Sequence, residues 1–112
     1  MKKSNSTLSN QIIQIESVDI SNSFAETEMA INRLVERAGP VDILINNAGI
    51  SFCGEFSETD SKHFENLMKV NYLGSVYCTR AVVGSMKKRH FGRIAFVSSQ
   101  AGQIGIFGYT GI

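Results

Sequence analysis

Nowhere in these 112 residues does an apolar run approach the ~20 residues that a membrane span needs. The opening MKKSNSTLSN carries two lysines but no apolar segment behind them, so it does not read as a signal peptide. It is polar throughout, and residues 1–10 are expected to be disordered. There is no internal repeat and no low-complexity tract. Two cysteines, Cys53 and Cys78, lie far apart without metal-ligand spacing, so neither a metal site nor a disulfide framework is expected, only free reduced thiols. Net charge is +1, which gives no electrostatic reason to expect nucleic acid as a partner. The basic run Lys87, Lys88, Arg89, His90 reads as a cationic helix C-terminus favoured by the helix dipole rather than a binding patch.

What is present suits one small α/β domain over residues 11–112, with 43% hydrophobic content. Gln11 to Val18 is rich in β-branched residues and partly alternating, and reads as a strand. Ser21, Asn22 or Ser23 can then cap a helix running to about Ala38, with Phe24, Ile31, Leu34 and Val35 on one face. Gly39-Pro40 stops it. Val41 to Ile45 is nearly continuous apolar sequence, as in a parallel strand covered on both faces. A polar loop follows, then a long helix from Thr59, its expected N-cap, to Arg89. Gly74 and Gly84 inside it each cost about 1 kcal/mol relative to alanine, which implies close packing or a local irregularity. Gly92 turns the chain into a last strand, Arg93 to Val97.

The order strand, helix, strand, helix, strand predicts parallel pairing in a doubly wound α/β sheet. Ligands bind such sheets at the carboxyl ends of their strands. Those ends carry Asp19, the turn Asn46-Asn47-Ala48-Gly49, and Ser98-Ser99 with the glycine-bearing loop to Gly105. Asn71 is a polar residue between Val70 and Tyr72 on the long helix. Each has a plain structural reading as well: a helix cap, a turn, a strand exit and a solvated helix position.

Their order changes the weighing. Val18-Asp19, Asn46-Asn47-Ala48-Gly49, Val70-Asn71-Tyr72-Leu73-Gly74 and Gly92-Arg93-Ile94 with Val97-Ser98-Ser99 follow one another as in the short-chain dehydrogenase/reductase family, which the chain resembles over Gln11 to Thr110. The resemblance implies the third to fifth strands of a Rossmann-type sheet ordered 3-2-1-4-5, without the first two. It implies that Asp19 contacts the adenine of a nicotinamide cofactor, and that Asn46, Asn47, Ala48, Gly49 and Val70 lie along that cofactor. It implies that Asn71 is catalytic and holds a relay water, and that Ser99 is catalytic and hydrogen-bonds the substrate carbonyl.

Within the family, the wording from Asn71 to Tyr77 and from Phe96 to Thr110 is most similar to the reductases of sphingolipid synthesis. These reduce the ketone of 3-ketosphinganine with NADPH on the cytosolic face of the endoplasmic reticulum membrane. Other members, acting on steroid, retinoid or acyl substrates, share much of the same wording. The resemblance also implies a homo-oligomer built through the helix 59–89; a non-catalytic remnant pairing with a full-length subunit is the remaining reading.

Two family motifs are absent. There is no Gly-x-x-x-Gly-x-Gly phosphate cradle, and the residues that choose NADP over NAD are not in this chain. There is no Tyr-x-x-x-Lys: the tyrosine position implied by the resemblance is Ile112, which cannot donate a proton, and Tyr109 has no following lysine. The expectation is therefore a fragment, inactive alone, with an unpaired third strand and an exposed apolar edge on the fourth.

Overall fold

The computed structural model describes residues 12–111. The expectations for residues 1–10, Gln11 and Ile112 lie outside the described residues. Helix α1 spans Phe24–Ala38 and strand β1 spans Ile43–Asn46. Helix α2 spans Ser61–Leu67, and a π-helical segment, Met68–Gly74, leads into helix α3, Ser75–Arg89. Strand β2 spans Arg93–Phe96, and short 3₁₀ turns lie at Phe56–Glu58 and Gln100–Gly102.

The two strands pair in parallel, Ile43 against Arg93 through Asn46 against Phe96. The ladder runs one bond further at each end, Arg93 N–H to Asp42 C=O and Val97 N–H to Asn46 C=O, both 2.9 Å. Parallel strands need a long crossover. Here it is the α2–α3 run. Helix α3 packs on β1, and α1 packs on α3. Thr27 and Ala30 of α1 and Val82 and Met86 of α3 are buried, with Leu67 of α2. Phe24 meets Tyr77 at 6.2 Å between ring centroids, and the Arg80 guanidinium sits 4.9 Å over the Phe24 ring. At the other end of α3, Arg89 bonds the Asp42 carboxylate at 2.5 Å and the Val41 carbonyl at 2.7 Å, fixing the helix to the start of β1.

Local chemistry explains the element ends. Ser23 is the N-cap of α1, its Oγ accepting from Glu26 N–H at 3.2 Å. Gly39 ends the helix with φ 89°, a conformation that suits glycine. The N-cap of α2 is Asp60, not Thr59: Asp60 Oδ1 accepts from Lys62 N–H at 2.9 Å, while Thr59 closes the preceding 3₁₀ turn.

Three expectations need correction. Residues 12–18 form no strand. A strand needs a neighbour to take its backbone bonds, and β1 and β2 pair only with each other among the described residues. The segment is exposed at Ile12, Ile13 and Ile15, and is held instead by Glu16, which bonds Arg33 and Arg37 of α1. Second, the long helix is not uniform: π-helical turns separate α2 from α3. Third, β1 is covered on one face only. Leu44 and Asn46 turn toward the helical layer, while Ile43 and Ile45 are 63% and 62% exposed.

The two interior glycines also part company. A Cβ at Gly74 would come 2.6 Å from Ile20 Cδ1, so close packing accounts for that glycine. A Cβ at Gly84 would meet nothing within 4 Å.

Candidate functional site

Both strands run in the same direction, so their carboxyl ends open onto the same side of the sheet. There the segment after β1 and the segment after β2 form the walls of an open cleft of about 470 Å³, with the π segment and the start of α3 behind them. Asn47, Ala48, Gly49, Asn71 and Ser99 all line it, beside Ile50, Ser51, Ser75 and Ser98.

Asn71 is the pivot of this arrangement. Its side-chain Oδ1 accepts from Ile50 N–H at 2.8 Å, and its Nδ2 donates to Ile50 C=O at 2.9 Å. One amide thus satisfies both backbone groups of a loop residue, which is how a loop without secondary structure is held in one place. The solvated-helix reading of Asn71 does not describe it. Its position in a π segment is in keeping with the frequent use of such turns at functional sites.

Ser99 is the N-cap of the 3₁₀ turn, its Oγ accepting from Ala101 N–H at 3.1 Å. That bond uses a lone pair of the hydroxyl and leaves its O–H able to donate into the cleft. The accepted bond also polarises the group and strengthens it as a donor.

Other sequence-predicted residues lie elsewhere. Asn46 is buried, and its amide turns away from the cleft to donate to Thr79 Oγ1 at 3.1 Å. Asp19 closes a turn: its carboxylate accepts from Ser21 N–H at 2.9 Å and from Ser21 Oγ at 2.6 Å. Those bonds, the side-chain one foremost, hold its carboxyl below the usual carboxylate range. Neither Asp19 nor Val70 lines the cleft. Tyr109 lies on a second open hollow, formed by the Ala101 to Thr110 loop, and its N–H bonds Ile106 C=O. Ser75 lines the cleft but was not singled out in the sequence. The available signal was its position one turn after Asn71, on the same helix face.

Every described residue lining the cleft is uncharged. The site therefore offers hydroxyl, amide and backbone hydrogen bonds, and its serines are the only side-chain O–H donors among the described residues of the lining. Cys78 is half-buried, and burial pushes its thiol above the ordinary range; Cys53 is exposed, and both are free. Among the described residues no group of three side chains could hold a metal ion, and no helix is long and apolar enough to cross a membrane.

Comparison with known proteins agrees with this geometry. Residues 1–111 match the family model for short chain dehydrogenase. Over 100 residues, 89% of its length, the chain is 54% identical to a 3-dehydrosphinganine reductase from Danio rerio, and 51% identical to a 3-ketodihydrosphingosine reductase from Bos taurus. It spans 30% of the length of each of these relatives. Among solved structures it resembles a gluconate 5-dehydrogenase from Burkholderia cenocepacia in complex with NADP and tartrate, with a TM-score of 0.80 and 27% identity over 86% of this chain and 37% of that one. The paired parallel strands, the cleft at their carboxyl ends and the family match over nearly the whole sequence together place this chain in the short-chain dehydrogenase family.

Proposed function

We propose that this chain carries the carbonyl-positioning part of a reductase that converts 3-ketosphinganine to sphinganine with NADPH, at the cytosolic face of the endoplasmic reticulum membrane. The observation that carries the reading is the meeting of Ser99, Asn71 and the Asn47 to Ser51 segment in one uncharged cleft, in a chain this similar to sphingoid-ketone reductases.

The cleft suits the uncharged portions of a nicotinamide dinucleotide. Its hydroxyl and amide groups match ribose hydroxyls and a carboxamide. Its described lining includes no glycine-rich helix N-terminus of the kind that cradles a pyrophosphate, which this segment would leave to other residues. A Cβ on Gly49 would make only ordinary contact with Asn71 Oδ1, 3.5 Å away, so the protein's own atoms do not demand glycine there. The residue's smallness instead serves close approach of a ligand to the backbone. In this reading Asn47, Ala48 and Gly49 would border the cofactor, Asn46 would act from behind them, and Asp19 and Val70 would serve at a distance from the cleft.

NADPH, when bound, supplies the hydride that reaches the carbonyl carbon. The protein's part is orientation and charge. Ser99 Oγ donates to the carbonyl oxygen and stabilises the negative charge that develops there. Asn71 uses its side chain to fix Ile50, and its main-chain carbonyl accepts a 3.4 Å bond from Ser75 Oγ. The side-chain amide being engaged with Ile50, the relay water of the proposed reaction would rest on that main-chain carbonyl. The final proton needs an acid, and no described residue lining the cleft is one. The 112-residue protein alone should accordingly not turn over.

A chimaera tests the assignment. Residues 12–111 replace the matching segment of the Danio rerio reductase, and NADPH oxidation is followed with 3-ketosphinganine and with a short acyl ketone. Turnover of the sphingoid ketone supports the reading, whereas a well-folded chimaera that reduces only the short ketone contradicts it.

A second reading has its own observation. Met68, Tyr72 and Val76 recur every four residues along the π segment and α3, and are 54%, 57% and 37% exposed. An apolar stripe of this kind fits a helix that pairs with another copy or with a longer subunit. Sedimentation of the purified protein decides it: a dimer lost on Tyr72→Asp supports pairing, and a monomer at every concentration contradicts it.

A further inference from the structure

Two residues of one helix hold the two ends of one loop segment. Asn71 bonds the backbone of Ile50, and Thr79 Oγ1 accepts from the amide of Asn46. Eight positions separate Asn71 from Thr79. On a uniform α-helix that spacing would point their side chains about 80° apart. Here the steps from Asn71 to Ser75 pass through the π segment, whose wider turns hold about one residue more each. The wider turns take up most of that angle, so both side chains can face the same loop. Asn46 in turn is tied across the sheet, its C=O accepting from Val97 N–H at 2.9 Å, next to Ser98 and Ser99.

We infer that Thr79 is a positioning residue for the cleft, the second point of a clamp that the π segment brings into line with Asn71. The bond from Asn46 sets where β1 ends, and through the Asn46–Val97 bond it sets the spacing between the two cleft walls. Asn46 is 8% exposed, so its amide depends on Thr79 rather than on water for this partner. Thr79 lies behind the cleft and does not line it. The inference concerns the placement of the walls, and it holds whether or not the cleft accepts a sphingoid ketone.

Backbone amide exchange on the purified 112-residue protein tests it, with Thr79→Val, which keeps the shape but removes the hydroxyl, and Thr79→Ser, which keeps the hydroxyl. Thr79→Val should accelerate exchange at the Val97 and Ile50 amides by about tenfold or more. Amides in the middle of α1 and α3 should keep their rates. Thr79→Ser should return Val97 and Ile50 to within about twofold of the parent. Three results would each overturn the inference: unchanged exchange at Val97 and Ile50 in Thr79→Val, acceleration spread equally over α1 and α3, or failure of Thr79→Ser to restore protection.

Discussion

The side-chain amide of Asn71 closes both backbone hydrogen bonds of Ile50, at 2.8 and 2.9 Å. A helix residue thereby fixes the loop that leaves the first strand. Replacing it with Leu, similar in volume and without polar atoms, removes both bonds. Asn71→Leu should lower stability by about 1–2 kcal/mol, the loss being modest because Ile50 is partly open to water. Urea unfolding gives the stability, and amide exchange at Ile50 locates the change.

Gly74 and Gly84 should respond in opposite directions to the same substitution. Gly84→Ala gains helix propensity in open space and should stabilise by about 1 kcal/mol. Gly74→Ala sets a methyl against Ile20 and should destabilise by about 1 kcal/mol or more. In an Ile20→Ala background the cost of Gly74→Ala should disappear, which a double-mutant cycle on thermal unfolding measures.

His90 is the one non-glycine residue with positive φ among the described residues, at 51°. It closes α3 with the paired bonds His90 N–H to Lys87 C=O and Phe91 N–H to Met86 C=O. Glycine adopts this conformation without strain, so His90→Gly should raise stability by about 1 kcal/mol, read from the urea midpoint.

Glu16 is held below the usual carboxylate range by hydrogen bonds from Arg37 and Arg33, then by their charge. A carboxylate with a depressed folded pKa contributes stability that is present above its unfolded pKa. That stability is lost as pH falls through the folded pKa. The loss should therefore begin as pH falls through the ordinary glutamate range, where the unfolded chain takes up its proton, and end below the folded pKa. Because both arginines are open to solvent, the effect should be small and should shrink with added salt. Glu16→Gln should flatten this part of the pH–stability curve, and the exchange of residues 12–18 should speed up.

How far the sequence foretold this structure follows from which residues depend on distant partners. The capping of α1 by Ser23 and its stop at Gly39 are local chemistry, and both were legible. The cleft was legible through motifs, since Asn47 to Gly49, Asn71 and Ser99 do meet. The strand at 11–18 was not, because alternation records a preference and a strand needs a neighbour. The π segment was legible only as the local irregularity that an interior glycine such as Gly74 allows, because Phe64, Leu67, Met68 and Leu73 read equally well on a plain helix. Thr79 was missed because a helix hydroxyl looks solvated until the Asn46 amide is seen donating to it.

In the proposed function Ser99 donates to a carbonyl oxygen in this cleft. The most direct test is Ser99→Ala in the chimaera that carries residues 12–111, with NADPH affinity and 3-ketosphinganine turnover measured separately. kcat should fall by about 10²–10³ with NADPH affinity unchanged, the signature of a lost transition-state hydrogen bond. Turnover that survives Ser99→Ala, or a loss explained wholly by weaker NADPH binding, would contradict this role for Ser99.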